Sequence, residues 1–222
     1  MAEAYAAFVD VGFLRAEGAR SLGWNARETR PHAQGLVDWL RHAAFDATFL
    51  RANWYDGAFA PEHPEAPGQR KFFDAIAQTP GIQLRLGHIS ERGDSRDNAI
   101  VKALDATGLA LGLPAGAIRA EFERHFSFRP LRQQKGVDTL LALDLVRLAG
   151  RAVCSTAVLV AGDRDLAEAV RAAQDFGVRV IVATPRRSSV ARELAQLADE
   201  IVEISADKLE GMLQQRGTTP TT

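Results

Sequence analysis

Two strand–helix passages in the last third of the chain constrain the fold most. Residues 157–170 read AVLVAGDRDLAEAV and residues 177–184 read GVRVIVAT. Residues 158–161 are an unbroken apolar, partly β-branched run, the pattern of a strand buried on both faces. Ala161-Gly162 turns the chain, and Leu166, Ala169 and Val170 resume at helical spacing. Residues 178–183 then form a second run of the same kind. Two buried strands joined through a helix lie parallel with a right-handed crossover. A parallel sheet needs helices on both faces, so the chain is α/β. The first passage also sets Asp163 and Asp165 where a strand feeds a helix. In open α/β sheets that edge is where ligands and chemistry collect.

The remaining chain extends the pattern. Residues 5–11 read as a first strand ending near Asp10, with Gly12 breaking the run. Residues 16–29 have no firm period. Pro31 suits the first position of a helix, whose stripe is Leu36, Val37, Leu40, Ala43 and Ala44. Further strands are expected at 47–55, stopped by Asp56-Gly57, at 82–89, and at 201–204. Helices are expected at 69–78, from 138 to about 149, at 165–175, 190–197 and 206–215. Residues 91–134 are more chain than a minimal α/β connection needs, and read as a helical insertion. The expectation is one domain over 1–216 with a mainly parallel sheet of five to six strands. Residues 217–222 form a polar tail expected to be disordered.

Composition removes several function classes. Among 222 residues the net charge is −1, so no global field draws the chain to nucleic acid or membrane, and any basic surface is local. No run approaches the length of a membrane span, and the first residues show no basic stretch followed by a long apolar run; a soluble cytoplasmic protein without membrane contact is expected. The single cysteine, Cys154, precludes an internal disulfide framework and reads as a small core residue. The five histidines show no HxH or HxxxH spacing. Neither a glycine-rich phosphate loop nor a GxSxG elbow is present.

Acids at strand ends and in first helical turns remain. If the first strand neighbours the one ending at Ala161, then Asp10, Asp163 and Asp165 share one sheet edge. Such a group repels itself unless a cation joins it. Mg²⁺ or Mn²⁺, hard ions with oxygen ligands, fit this set. Asp138 opens a helix, and Asp144 lies six residues further on, about 120° around an ideal helix. Simpler roles account for several of these equally well. Asp138, Asp163 or Asp165 can each be a helix cap, and Asp144 a salt-bridged helix residue. Lys135 runs into the acidic edge, and Arg186-Arg187-Ser188 follows a strand; these residues could grip a phosphate backbone.

The ordered set FVDVGFL (8–14), KGVDTLLALDLV (135–146), AVLVAGDRDLAEAV, GVRVIVAT and SSVARELAQLADEIVEI (188–204) resembles the NYN domain, the LabA-like or DUF88 group of the PIN-like nuclease superfamily. The resemblance implies a PIN-like three-layer α/β/α sandwich. It implies metal-dependent RNA cleavage at Asp10, Asp138, Asp144, Asp163 and Asp165, with Asp10, Asp163 and Asp165 holding Mg²⁺ or Mn²⁺. The expected partner is RNA, single-stranded or structured, with Lys135, Arg186, Arg187 and Ser188 as its contacts; the activity is an endoribonuclease, and a homodimer is the assembly to test. The alternative is an NYN module that binds RNA or a protein without cleavage. The family commonly has an Asn three residues after its first Asp; Phe13 stands there.

Overall fold

The computed structural model describes residues 3–215 except 44, 46, 93–94 and 126–130. The tail expected to be disordered at 217–222, and Ala44, lie outside the described residues. The main sheet comprises β1 (Ala4–Asp10), β3 (Thr48–Ala58), β4 (Ile82–Arg92), β5 (Leu131–Lys135), β6 (Thr156–Val160), β7 (Arg179–Pro185) and β8 (Glu200–Ile204). Its order is β5-β4-β3-β1-β6-β7-β8. The pairs β1/β3, β3/β4, β1/β6, β6/β7 and β7/β8 are all parallel. The sheet has seven strands rather than five or six, because residues 131–135 add an edge strand whose polar sequence, LRQQK, carries no apolar alternation.

Alternation along β1 makes the three layers. Tyr5, Ala7 and Val9 enter one core with Leu14, Leu36, Leu40, Leu209 and Met212. These come from α1 (Val11–Leu22), α2 (Ala33–His42) and α9 (Ala206–Met212). Ala6 and Phe8 enter the other core with Leu141, Leu145, Val170 and Leu194. Their carriers are α6 (Val137–Gly150), α7 (Ala167–Asp175) and α8 (Arg192–Leu197). A strand that is apolar at every position is thus explained by burial on both faces. The helix α3 (Ala66–Ala77) adds Ile76 to the first core.

Four local readings are corrected. Gly12 does not break the chain; it lies in α1, which starts directly after β1 because the Asp10 side chain accepts from the Phe13 backbone N–H at 3.1 Å. Gly23, with φ of 70°, closes that helix in the left-handed conformation glycine tolerates. Pro31 ends β2 (Thr29–Pro31) instead of opening a helix. Residues 213–215, expected to end the last helix, form β9 (Leu213–Gln215), antiparallel to β2. Asp56-Gly57 does not stop β3, which continues through both to Ala58.

The chain divides into two compact units. The first is Met1–His88 with Lys135–Thr222, and the second is Ile89–Gln134. Within the second, α4 (Ser95–Ala110) and α5 (Ala117–His125) pack on each other. Among the described residues no helix is long and apolar enough to cross a membrane.

Candidate active site

The chain leaves β1, builds outward through β3 and β4, then returns to β6 on the other side of β1 and builds outward again. The sheet therefore reverses its order at β1 and β6. Loops on the two sides diverge there and leave a crevice at the C-terminal strand ends. Asp10 is the last residue of β1, and Asp163 follows β6 by way of Ala161 and Gly162.

Electrostatics shows that this edge gathers acids. Burial is the main cause raising the Asp10 carboxyl to about 6. The negative charges of Asp138 and Asp56 push the same way, against the backbone N–H groups of Phe13 and Gly12. Asp138, in the first turn of α6, is also raised, first by burial and then by Asp163 and Asp165. Asp138 thus links Asp10 to Asp163 and Asp165, and Asp56 acts on Asp10 as well. Asp163 and Asp165 are exposed, and Asp163 accepts from the Asp165 backbone N–H at 3.0 Å, capping a single 3-10 turn over Arg164–Leu166.

Asp56 was absent from the candidates. It follows Tyr55, whose register partner is Asp10. The available signal was the same one that singled out Asp10, a carboxylate at the C-terminal end of a strand next to the central one. Reading Asp56-Gly57 as a turn hid it.

Asp144 stands in a different setting. It is buried, and its two oxygens accept from Arg85 at 2.7 and 2.9 Å, from Arg147 at 2.7 Å and from the Tyr55 hydroxyl at 3.1 Å. Six residues of helix place it about 9 Å down α6 from Asp138. Burial and the Asp144 charge both hold the Tyr55 phenol well above its ordinary range, so it remains a donor. The carboxylate is committed to tying β3 and β4 to α6.

Basic candidates sit around the edge. Lys135 closes β5 immediately before α6, and its carbonyl lies close enough to Gly87 that a Cβ there would meet it at 2.6 Å. Arg186 and Arg187 form the exposed turn after β7, with Arg187 at φ of 60° and Arg186 3.7 Å from Glu203. The Ser188 hydroxyl bonds that of Thr184, and its N–H donates to the Pro185 carbonyl at 3.1 Å. This loop is fastened to the acid-bearing turn, since the Ala191 N–H donates to the Gly162 carbonyl at 2.9 Å. A Cβ at Gly162 would run into the Phe13 ring and meet the Ser189 carbonyl at 2.9 Å. Phe13 therefore packs over the turn that precedes Asp163.

The donor set is all carboxylate oxygen, which suits a hard divalent cation, and its mutual repulsion is what such a cation relieves. Among the described residues no three acidic, histidine or cysteine side chains converge into a finished cage. Mg²⁺ usually retains several waters and needs only one or two direct carboxylates, so an open cluster remains compatible with it.

Three similarities bear on this geometry. The chain is 41% identical over 86 residues to the uncharacterized protein y4oD of Sinorhizobium fredii, a match covering 38% of this chain and 40% of that relative. The chain therefore spans well under half the length of this relative. A crystal structure of a protein of unknown function from Vibrio parahaemolyticus shares the fold, with a TM-score of 0.53 and 19% identity. That similarity covers 96% of this chain and 97% of the other. The NYN domain family matches residues 118–205, which include Asp138, Asp144, Asp163 and Asp165 and leave Asp10 and Asp56 upstream. The α/β/α sandwich agrees with that match: residues 118–205 are similar to the NYN domain family, which is a family of PIN-like nuclease domains.

Proposed function

We propose that the chain is a divalent-cation-dependent ribonuclease that hydrolyses RNA phosphodiester bonds at the β1–β6 edge. The observation that carries this reading is the chain of like charges at the point where the sheet reverses: Asp163 and Asp165 act on Asp138, and Asp138 acts on Asp10. A cluster kept repulsive in a crevice is a mark of a functional site more than of a stabilising one. Asp10, Asp163 and Asp165 would hold Mg²⁺ or Mn²⁺, with Asp56 and Asp138 beside them. The cation would supply positive charge to the phosphoryl oxygens and acidify water. Asp138, rigid on the first turn of α6, would orient the attacking water by accepting its hydrogen bond. Lys135 and the Arg186–Arg187 turn, with the Ser188 hydroxyl, would hold phosphates next to the acids. Asp144 would act through position, by keeping α6 in register with β3 and β4.

Incubation of a labelled RNA mixture with the wild type and with Asp163→Asn, in Mn²⁺ and in EDTA, tests the reading. Cleavage in Mn²⁺ that both EDTA and Asp163→Asn abolish is expected. Cleavage indifferent to both would refute it.

A second reading has its own support. Phe13 covers the Gly162 turn where the family commonly has an amide, and among the described residues the acids form no closed cage. An NYN module that binds RNA without cutting it would have these features. Calorimetry that shows RNA uptake with no Mg²⁺ or Mn²⁺ uptake would select it.

A further inference from the structure

A second basic surface lies beside the acids. Arg164, Arg171 and Arg192 line an open groove of about 520 Å³ with Ala191, Glu193 and Gln196. We propose that this groove, between α7 and α8, seats the phosphate backbone of an RNA strand flanking the bond held at the acidic edge. The assignment rests on the reading of that edge as an RNA site, and adds to it the path the strand takes on one side.

Position is the first argument. Arg164 stands between Asp163 and Asp165 in the chain, so the groove begins where the acids end. Ala191 lines it and donates its N–H to the carbonyl of Gly162. Groove and acid-bearing turn are thus tied by a backbone hydrogen bond, so that a strand gripped by one is indexed against the other.

Charge is the second. Three guanidiniums face one carboxylate in the lining, in a chain whose net charge is −1. Arg164 lies 3.4 Å from Glu193, and Arg171 lies 3.4 Å from Glu168, outside the lining. All four side chains are well exposed, and such surface pairs hold weakly. Arg192 has no carboxylate partner within salt-bridge distance among the described residues. The guanidinium donors are therefore available to an arriving anion, and their planar fork matches phosphate oxygens. A strand beside repelling acids needs such a counterweight, because local basic surface is what holds a polyanion near them.

The groove's openness and polar lining argue against a small apolar ligand, which would need an enclosed, mainly hydrophobic pocket. A polyanion tracking an open surface fits better.

The test uses fluorescence anisotropy of a labelled oligouridylate of about twelve nucleotides, in EDTA so that binding is read without cleavage, over a series of salt concentrations. Wild type is compared with the triple Arg164→Gln, Arg171→Gln, Arg192→Gln chain, with the corresponding triple Lys chain, and with Glu193→Gln. Loss of three phosphate contacts on a single strand should flatten the slope of log affinity against log salt by about 2. The Gln chain should bind at least about tenfold more weakly at low salt, the Lys chain should keep the wild-type slope, and Glu193→Gln should bind more tightly. Wild-type affinity and slope in the Gln chain, with the wild type binding RNA, would overturn the groove and leave the acidic edge standing. Absence of RNA binding by the wild type would overturn the groove, while cleavage in Mn²⁺ judges the acidic edge separately. If the Gln chain melts early, Glu193→Gln decides: RNA affinity no tighter than that of the wild type refutes the groove.

Discussion

A single carboxylate, Asp10, does two opposed things. It caps α1 through the Phe13 N–H, and it sits beside Asp56 and Asp138 in a setting that raises its carboxyl to about 6. The folded-state value exceeds the unfolded one, so the folded chain binds the proton more tightly. The associated stability is full below about pH 4 and is lost as pH rises through about 6, up to about 3 kcal/mol in all. Asn keeps the capping oxygen without the charge. Asp10→Asn is therefore expected to be more stable than the wild type at pH 8 in EDTA, and level with it at pH 4. Urea unfolding at the two pH values measures this. An Asp10→Asn chain weaker than wild type at pH 8 would show that the charge is compensated in the folded state. At the neighbouring turn, Gly162 has a different reason for its identity: the Phe13 ring and the Ser189 carbonyl occupy the space a Cβ would need.

Among the elements, α6 carries two acids with separate duties. Asp138 faces the sheet edge, while Asp144 is enclosed by Arg85, Arg147 and Tyr55. Removing one partner of a buried ionic network leaves the others uncompensated, at about 3–5 kcal/mol. Because Arg147 is half exposed and Arg85 partly so, Asp144→Ala should fall near the lower figure. Thermal melts should show that loss, and any stabilisation by Mg²⁺ should persist in the variant. Loss of the Mg²⁺ effect would move Asp144 into the cation site. Spacing and residue type alone made Asp144 a candidate of the same kind as Asp138. Its partner Arg85 lies on β4, 59 residues away, and no local pattern announces that pairing. Strands β1, β6 and β7 were legible because burial on both faces leaves an unbroken apolar run. Helix α1 was not: its buried face is Val11, Leu14, Gly18 and Ala19, small and widely spaced. Its start signal is an Asp that also ends a strand. β9 was hidden because its partner, β2, is three residues of Thr-Arg-Pro.

At the scale of the molecule, the acidic edge and the sheet order belong together. The C-terminal ends of β1, β3 and β6 bring like charges to one crevice, and the two cores must offset that repulsion. A cation bound only by the folded state adds stability by mass action, about 2.7 kcal/mol at a hundredfold excess over Kd. Mg²⁺ should accordingly raise the melting temperature at pH 8 by several degrees, against NaCl of matched ionic strength, and should not do so for Asp10→Asn. Scanning calorimetry reads both. An equal rise in the two chains would mean that Mg²⁺ acts by general screening.

The reversal of sheet order at β1 also sets a timetable. Among the strands of the sheet β1 is made first, and its β6 neighbour, Thr156–Val160, emerges only after β3, β4 and β5. Until then β1 has an open flank, Asp10 has neither the Asp138 charge nor the full burial that raise it, and Asp163 is not yet made. A nascent chain can assemble β1, β3 and β4 early, because these strands are near neighbours in sequence. The crevice is complete only once β6 and the turn after it have joined β1. A polypeptide made only as far as β5 therefore lacks the acidic edge.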